Sequence, residues 1–173
     1  MAKATIIQKN KLHLQDNKRR IGNITEEQFN QITNDIVNKY KRIVKKIHNA
    51  DLSTNNNWED PTVNAYAQQF GESDWQINMF GGLARRPEVT PDGFAMVVCH
   101  ELGHHLGGFP FYGDQDWAAT EGQSDFFATQ ACARFIWSGE SAKNAEFRAS
   151  VPSLVKDRCD TQWKTESEQN LCY

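Results

Sequence analysis

The chain has 173 residues, 24% of them charged, with a formal net charge of -3. That length suits one compact domain with a sizeable core rather than two independent ones. Scattered basic residues under a net negative charge exclude a nucleic-acid footprint, and no apolar run approaches the roughly 20 residues of a membrane span.

Met1-Ala2-Lys3-Ala4-Thr5-Ile6-Ile7 lacks the long apolar stretch of a signal peptide. It reads equally as a cytoplasmic start or as a mature start behind an added Met. Residues 1–24 are polar, with short alternating patches at Thr5-Ile6-Ile7 and Leu12-His13-Leu14. They read as a strand, an extended arm or a disordered leader. His13 is either an exposed, inert side chain or an inhibitory ligand supplied by a pro-segment.

Thr25-Glu26-Glu27-Gln28 is a capping box. Phe29, Ile32, Ile36, Tyr40, Ile43 and Ile47 follow at spacings of three and four, predicting a helix from Thr25 to about Asn49 with that stripe inward. Lys-rich last turns, with His48 as a solvated charge, suit the negative end of its dipole. Residues 51–61, rich in Asn, Ser, Thr and Asp, predict a loop. Residues 62–67 and 75–80 then read as two strands joined by the hairpin connection Phe70-Gly71-Glu72-Ser73-Asp74, and Gly81-Gly82 ends the second. Alternation puts Trp75, Ile77 and Met79 on one face of that strand.

Thr90 caps the next helix, with Pro91 at its first position and Asp92 in its first turn. Phe94, Val97, Val98 and Leu102 form its buried side, and Gly107-Gly108 with Pro110 stop it. Inside lies His100-Glu101-Leu102-Gly103-His104, an H-E-x-x-H pattern. Four residues apart on a helix, His100 and His104 share one face and can grip one Zn²⁺, with Glu101 beside them to activate a water. His105 lies about 100° round the helix and is read as structural.

A further helix is predicted from Asp116 or Trp117 to about Trp137, with Glu121 and Asp125 on one face, continued by Ala128 and Cys132. Beyond Ser138-Gly139, short helical pieces are expected at 142–147 and 152–156, then a polar tail between Cys159 and Cys172. Cys159 and Cys172 read either as a disulfide or as reduced thiols, and Cys99 reads as a buried core thiol.

A catalytic zinc site needs a third protein ligand and an open position. A third histidine in H-E-x-x-H-x-x-G-x-x-H is excluded, because position 110 is Pro. The remaining choice is a carboxylate from another helix, and downstream the carboxylate pair sharing a face is Glu121 with Asp125.

His100, Glu101, His104, Glu121 and Asp125 together resemble the gluzincin zinc peptidases, the thermolysin-like superfamily in which E-x-x-x-D follows H-E-x-x-H on the next helix. The likeness extends upstream to Asn64-Ala65-Tyr66-Ala67 and the strand ending in Gly81-Gly82-Leu83, and covers roughly residues 62–137. It implies His100, His104 and Glu121 as ligands of one Zn²⁺ per chain, Glu101 as general base, and Asp125 as the acceptor that orients a ligand histidine. It implies metal-assisted hydrolysis of a peptide or protein substrate, with an edge strand that pairs with extended substrate. The family's later oxyanion-steadying histidine is missing, since no His follows His105. Tyr112 is the nearest substitute, with Arg134 or Arg148 behind it. Phe109-Pro110-Phe111-Tyr112 offers an apolar subsite.

The expectation is therefore an α+β fold in one domain, residues 1–173: a small antiparallel sheet packed on an active-site helix and a second ligand helix, the long N-terminal helix behind. Its parts are an arm at 1–24, a scaffold helix at 25–49, a catalytic core at 62–137 and a Cys-bearing extension at 138–173. Alternative readings are an enzyme held latent by its N-terminal arm, or a non-catalytic zinc-stabilised peptide-binding module. The tail cysteines favour a secreted or periplasmic protein over a cytoplasmic one.

Overall fold

The computed structural model describes residues 3–5, 10–14 and 23–172. Ile6 and Ile7 of the first alternating patch, and residues 15–22 of the arm, lie outside the described residues. The fold mixes helices with a small sheet, and the chain divides into two compact units, Met1–Gln130 and Ala131–Tyr173. The division falls inside the stretch expected to be one helix to Trp137. Among the described residues, no helix is long and apolar enough to cross a membrane.

In the first unit, β1 (Lys3–Thr5), β2 (Asp51–Asn57), β3 (Ala65–Gln69) and β4 (Asp74–Phe80) form one sheet in the order β1-β3-β4-β2. β1 and β4 both run antiparallel to β3, whereas β2 runs parallel to β4, from Asp51 opposite Asp74 to Asn57 opposite Phe80. The sheet is thus mixed, not antiparallel, and 51–57 is a strand, not a loop. Asn disfavours strands in isolation, but here the amides are partnered. Asn55 Nδ2 donates to Asn78 Oδ1 at 3.0 Å and Asn56 Nδ2 to Asn30 Oδ1 at 3.2 Å.

One sheet face is apolar, with Leu52, Ala65, Ala67, Trp75, Ile77 and Met79 all buried. The other carries a polar ladder in which Gln68 Nε2 donates to Gln76 Oε1 and Gln76 Nε2 to Ser53 Oγ. α1 (Glu26–His48) packs on β2, and α3 (Pro91–Leu106) packs on β1, β3, β4 and α1. Between β4 and α3, the short helix α2 (Gly81–Ala84) begins where the second strand ends.

The capping box of α1 is complete: Gln28 N donates to Thr25 Oγ1 and Thr25 N to Gln28 Oε1. Its end is Asn49, in the left-handed region at φ 52°. The inward stripe is rotated from expectation. Phe29, Ile36 and Tyr40 are buried, but Thr33, Val37 and Val44 join them, and Ile47 is 67% exposed. Thr33 fits inside because its hydroxyl donates to Phe29 O.

α3 opens at Thr90, whose side chain accepts from Gly93 N, with Pro91 in its first turn. The next helix, α4 (Glu121–Phe127), starts later than expected. Residues 118–120 have their backbone groups committed elsewhere: Ala119 N donates to His104 O, Thr120 N to Pro110 O, and Ala118 O accepts from Tyr112 N. A π-helical stretch, Ala128–Cys132, follows α4, then α5 (Ala133–Ile136).

The second unit holds α6 (Ser141–Ala145), α7 (Ser153–Gln162) and α8 (Glu166–Cys172). The expected polar tail is thus helical at both ends, and the Cys159–Cys172 disulfide ties α7 to α8. Cys99 and Cys132 are disulfide-bonded too, so Cys99 is not the free core thiol its setting suggested.

Candidate metal centre

His100, His104 and Glu121 each present one ligand atom, and these atoms all lie within 4.8 Å of one another. His100 Nε2 is 3.0 Å from Glu121 Oε2, and His104 Nε2 is 3.9 Å from Glu121 Oε1. Both histidines are buried, and Glu121 is partly exposed at the first position of α4. The first turn of a helix suits a carboxylate, because the dipole and unpaired amides there favour negative charge.

The other side of each ring fixes its tautomer. Ala119 O lies 2.8 Å from His104 Nδ1. A carbonyl can only accept, so Nδ1 carries the hydrogen, and Ser124 Oγ stands 2.9 Å from the same atom. His100 Nδ1 likewise faces a carboxylate oxygen, Asp125 Oδ1, at 2.8 Å. Each Nε2 therefore turns a bare lone pair towards Glu121. Apart from Glu121, neither buried Nε2 has a polar partner among the described residues. A cation placed among the two rings and the carboxylate would be attracted by all three. The donor set of two imidazoles and one carboxylate is that of a site for a divalent transition metal.

Burial holds His104 down to about 4, partly offset by its bond to Ala119 O. The ring thus stays neutral, the form that binds metal. Burial raises the Glu121 carboxyl, with His100 beside it pulling the other way.

Close approach of α3 and α4 builds the cluster, and Gly103 permits it. A Cβ there would stand 2.7 Å from Ser124 Cα. Gln123 Nε2 binds the carbonyls of Gly107 and Phe109, fixing the turn after α3 to α4.

Glu101 is fully buried next to His100. Asp125 is largely exposed, its carboxylate reaching inward to His100. Tyr112 is half-exposed and hydrogen-bonds through its backbone, its amide to Ala118 O and its carbonyl to Gln115 N. Arg134 and Arg148 are engaged within the second unit, Arg134 over Trp163 and near Glu168, Arg148 with Asp160. His13 is exposed, bridges Thr62 through its backbone and is no member of the group. Phe109, 80% exposed, meets Phe111 edge-on at 6.1 Å.

His105 is a core residue. Its ring stacks between Trp75 and Trp117, at 5.1 and 5.2 Å. Its Nε2 donates to Gln76 O and its Nδ1 accepts from Gln69 Nε2, both at 3.3 Å. Burial pushes it down to about 3.

Sequence reasoning missed Gly103, Ser124 and the Ala119 carbonyl. Ser124 had a signal, since it lies three residues after Glu121 and shares its face. A backbone carbonyl has none, because every residue carries one. No protein-family model, no curated protein and no solved structure matches this chain.

Proposed function

We propose that the chain is a zinc-dependent peptidase of the gluzincin type, with His100, His104 and Glu121 holding one Zn²⁺. What carries the reading is the pair of buried Nε2 atoms that face one carboxylate, with both Nδ1 atoms tied off behind them. Ligand atoms at about 2.0–2.2 Å from a tetrahedral zinc stand roughly 3.3 Å from one another. The separations of 3.0 and 3.9 Å are of that size. Three protein ligands leave a fourth position open, the arrangement of a catalytic rather than a structural site.

Zinc bound there would lower the pKa of a water towards ~7 and polarise the scissile carbonyl. With zinc in place, Glu101 would serve as the base that takes the water proton and would pass it to the leaving amine. Asp125 accepts from His100 Nδ1 and keeps that ring's Nε2 turned inward; Ala119 O and Ser124 do the same for His104. α3 is then the active-site helix and α4 the second ligand helix. The exposed aromatics at 109–112 offer a subsite for an apolar side chain, and the Tyr112 hydroxyl is the candidate donor to an oxyanion. Fully bonded cysteines fit an oxidising compartment, hence an exported protein.

Glu101→Gln tests the mechanism. Peptide hydrolysis should fall at least ~100-fold, the usual worth of a general base, while one zinc per chain is kept. Hydrolysis surviving in a zinc-loaded Glu101→Gln protein would remove Glu101 from the role.

A further inference from the structure

The stretch that builds the candidate metal centre carries charge of one sign. Residues 87–130 include seven Asp or Glu and no Lys or Arg. The whole chain sets 19 basic residues against 22 acidic ones, so the bias is local. Arg86, the last cation before the stretch, pairs with Glu88. Asp92 sits in the first turn of α3, where the helix dipole offsets its charge. The two charges of a bound Zn²⁺ would balance Glu101 and Glu121. Asp114, Asp116 and Asp125 are left over, and all three are exposed.

Two of these carboxylates are held beside the cluster by a two-armed loop. Its arms join where Phe111 bridges Ala119, Tyr112 N donates to Ala118 O, and Thr120 N donates to Pro110 O. One arm is bonded to His104 twice: Ala119 N donates to His104 O, and Ala119 O accepts from His104 Nδ1. Gly113, left-handed at φ 56°, and the bond from Gln115 N to Tyr112 O turn the chain between the arms. Asp114 and Asp116 lie on this turn, and among the described residues neither makes an ion pair. Asp116 is three residues from Ala119, at most about 11 Å along the chain. That is comparable with the roughly 8–10 Å over which exposed charges act at ordinary salt. Asp125 adds its charge from α4, its carboxylate 2.8 Å from His100 Nδ1 and its side chain 74% exposed.

We infer that the site selects cationic peptides: an apolar side chain lies on the exposed aromatics of 109–112, and a Lys or Arg beside it is drawn by Asp114, Asp116 and Asp125. That such a peptide is also cleaved rests on the peptidase reading; the binding preference stands on charge and exposure alone. Each exposed charge pair is weak, a few-fold in affinity at most. Three carboxylates that attract a cation and repel an acid in the same position multiply into a usable difference. Asp125 also holds the His100 ring, so Asp114 and Asp116 are the carboxylates that can be changed without touching the cluster.

The test uses the full chain, zinc-reconstituted, with Glu101→Gln so that no peptide is consumed. The probes are four rhodamine-labelled hexapeptides that share a Phe and carry Arg, Lys, Leu or Glu beside it, followed by anisotropy. The Arg and Lys peptides should bind at least about tenfold more tightly than the Glu peptide, and about 0.5 M NaCl should shrink that ratio. Adding Asp114→Asn with Asp116→Asn should cut the ratio at least about threefold. Adding Glu26→Gln with Glu27→Gln instead, the same charge change on α1, should leave it alone. Equal binding of the four peptides, binding of none, or a preference that survives the loop substitutions would overturn the inference. With Glu101 intact, cleavage of the Arg and Glu peptides at equal rates would also overturn it and leave the peptidase reading standing. A loop-dependent cationic preference without cleavage of any peptide would sink the peptidase reading and leave the cation-selective surface in place.

Discussion

His100, His104 and His105 share one helix, and the acceptor opposite each ring decides what the ring can do. Carbonyl or carboxylate oxygens at Nδ1 leave His100 and His104 with Nε2 facing Glu121. His105 spends both nitrogens on β3 and β4. Removing the carboxylate behind His100, as Asp125→Ala, should weaken zinc affinity about 10- to 100-fold in a chelator competition, the usual worth of such a partner. An unchanged affinity would show that Asp125 does not set that ring. His105 also makes a pH statement. Its folded pKa of about 3 lies below the ordinary 6.5, so the unfolded chain binds the extra proton between those values. Its contribution is fully present above pH 6.5 and is lost as the pH falls towards 3, on the order of a few kcal/mol. In metal-free protein the urea midpoint should fall across that window. His105→Gln should have a flatter pH slope than wild type, whatever its absolute stability; an identical slope would refute the assignment.

Elements were legible where the sequence carried their own boundary chemistry. α1 was found at both ends because Thr25 and Gln28 cap each other and Asn49 takes the left-handed turn. Thr25→Ala should cost about 1 kcal/mol by urea unfolding. β2 hid behind its asparagines, since the partners that satisfy Asn55 and Asn56 lie on β4 and α1, distant in sequence. The start of α4 was misjudged for a similar reason: Ala118 and Ala119 favour helix locally, but Tyr112 and His104 claim their backbones. The inward stripe of α1 turned because Thr33 and Val37 look neutral until a polar partner or the sheet is in place. The candidate metal cluster, by contrast, is written in side chains of α3 and α4, with His100 and His104 at four-residue spacing. Gly103 is where those helices meet. Gly103→Ala should cost about 1–3 kcal/mol and loosen zinc binding, because Ser124 must retreat from a new Cβ. Full zinc affinity in that variant would show that the approach of α3 to α4 does not shape the site.

At the scale of the whole chain, stability is divided between a first unit built on the sheet and a second built on short helices. Among the described residues of the second unit, Cys132, Cys159 and Asn170 are buried, whereas Phe135, Phe147, Leu154 and Val155 are exposed. The disulfide across 13 residues therefore matters there. Replacing Cys159 and Cys172 together by Ser should lower that unit's stability by about 3 kcal/mol, as for a loop of similar length, seen as earlier proteolysis within 131–173. Bonded cysteines are what the proposed export to an oxidising compartment requires.

The central proposal is that one chain holds one zinc through His100, His104 and Glu121. Metal content of the purified, zinc-reconstituted protein, measured for wild type and Glu121→Ala side by side, tests it most directly. The account predicts one zinc per wild-type chain and its weakening or loss in the variant. A wild type that takes up no zinc, or a variant that holds it as tightly, would contradict it.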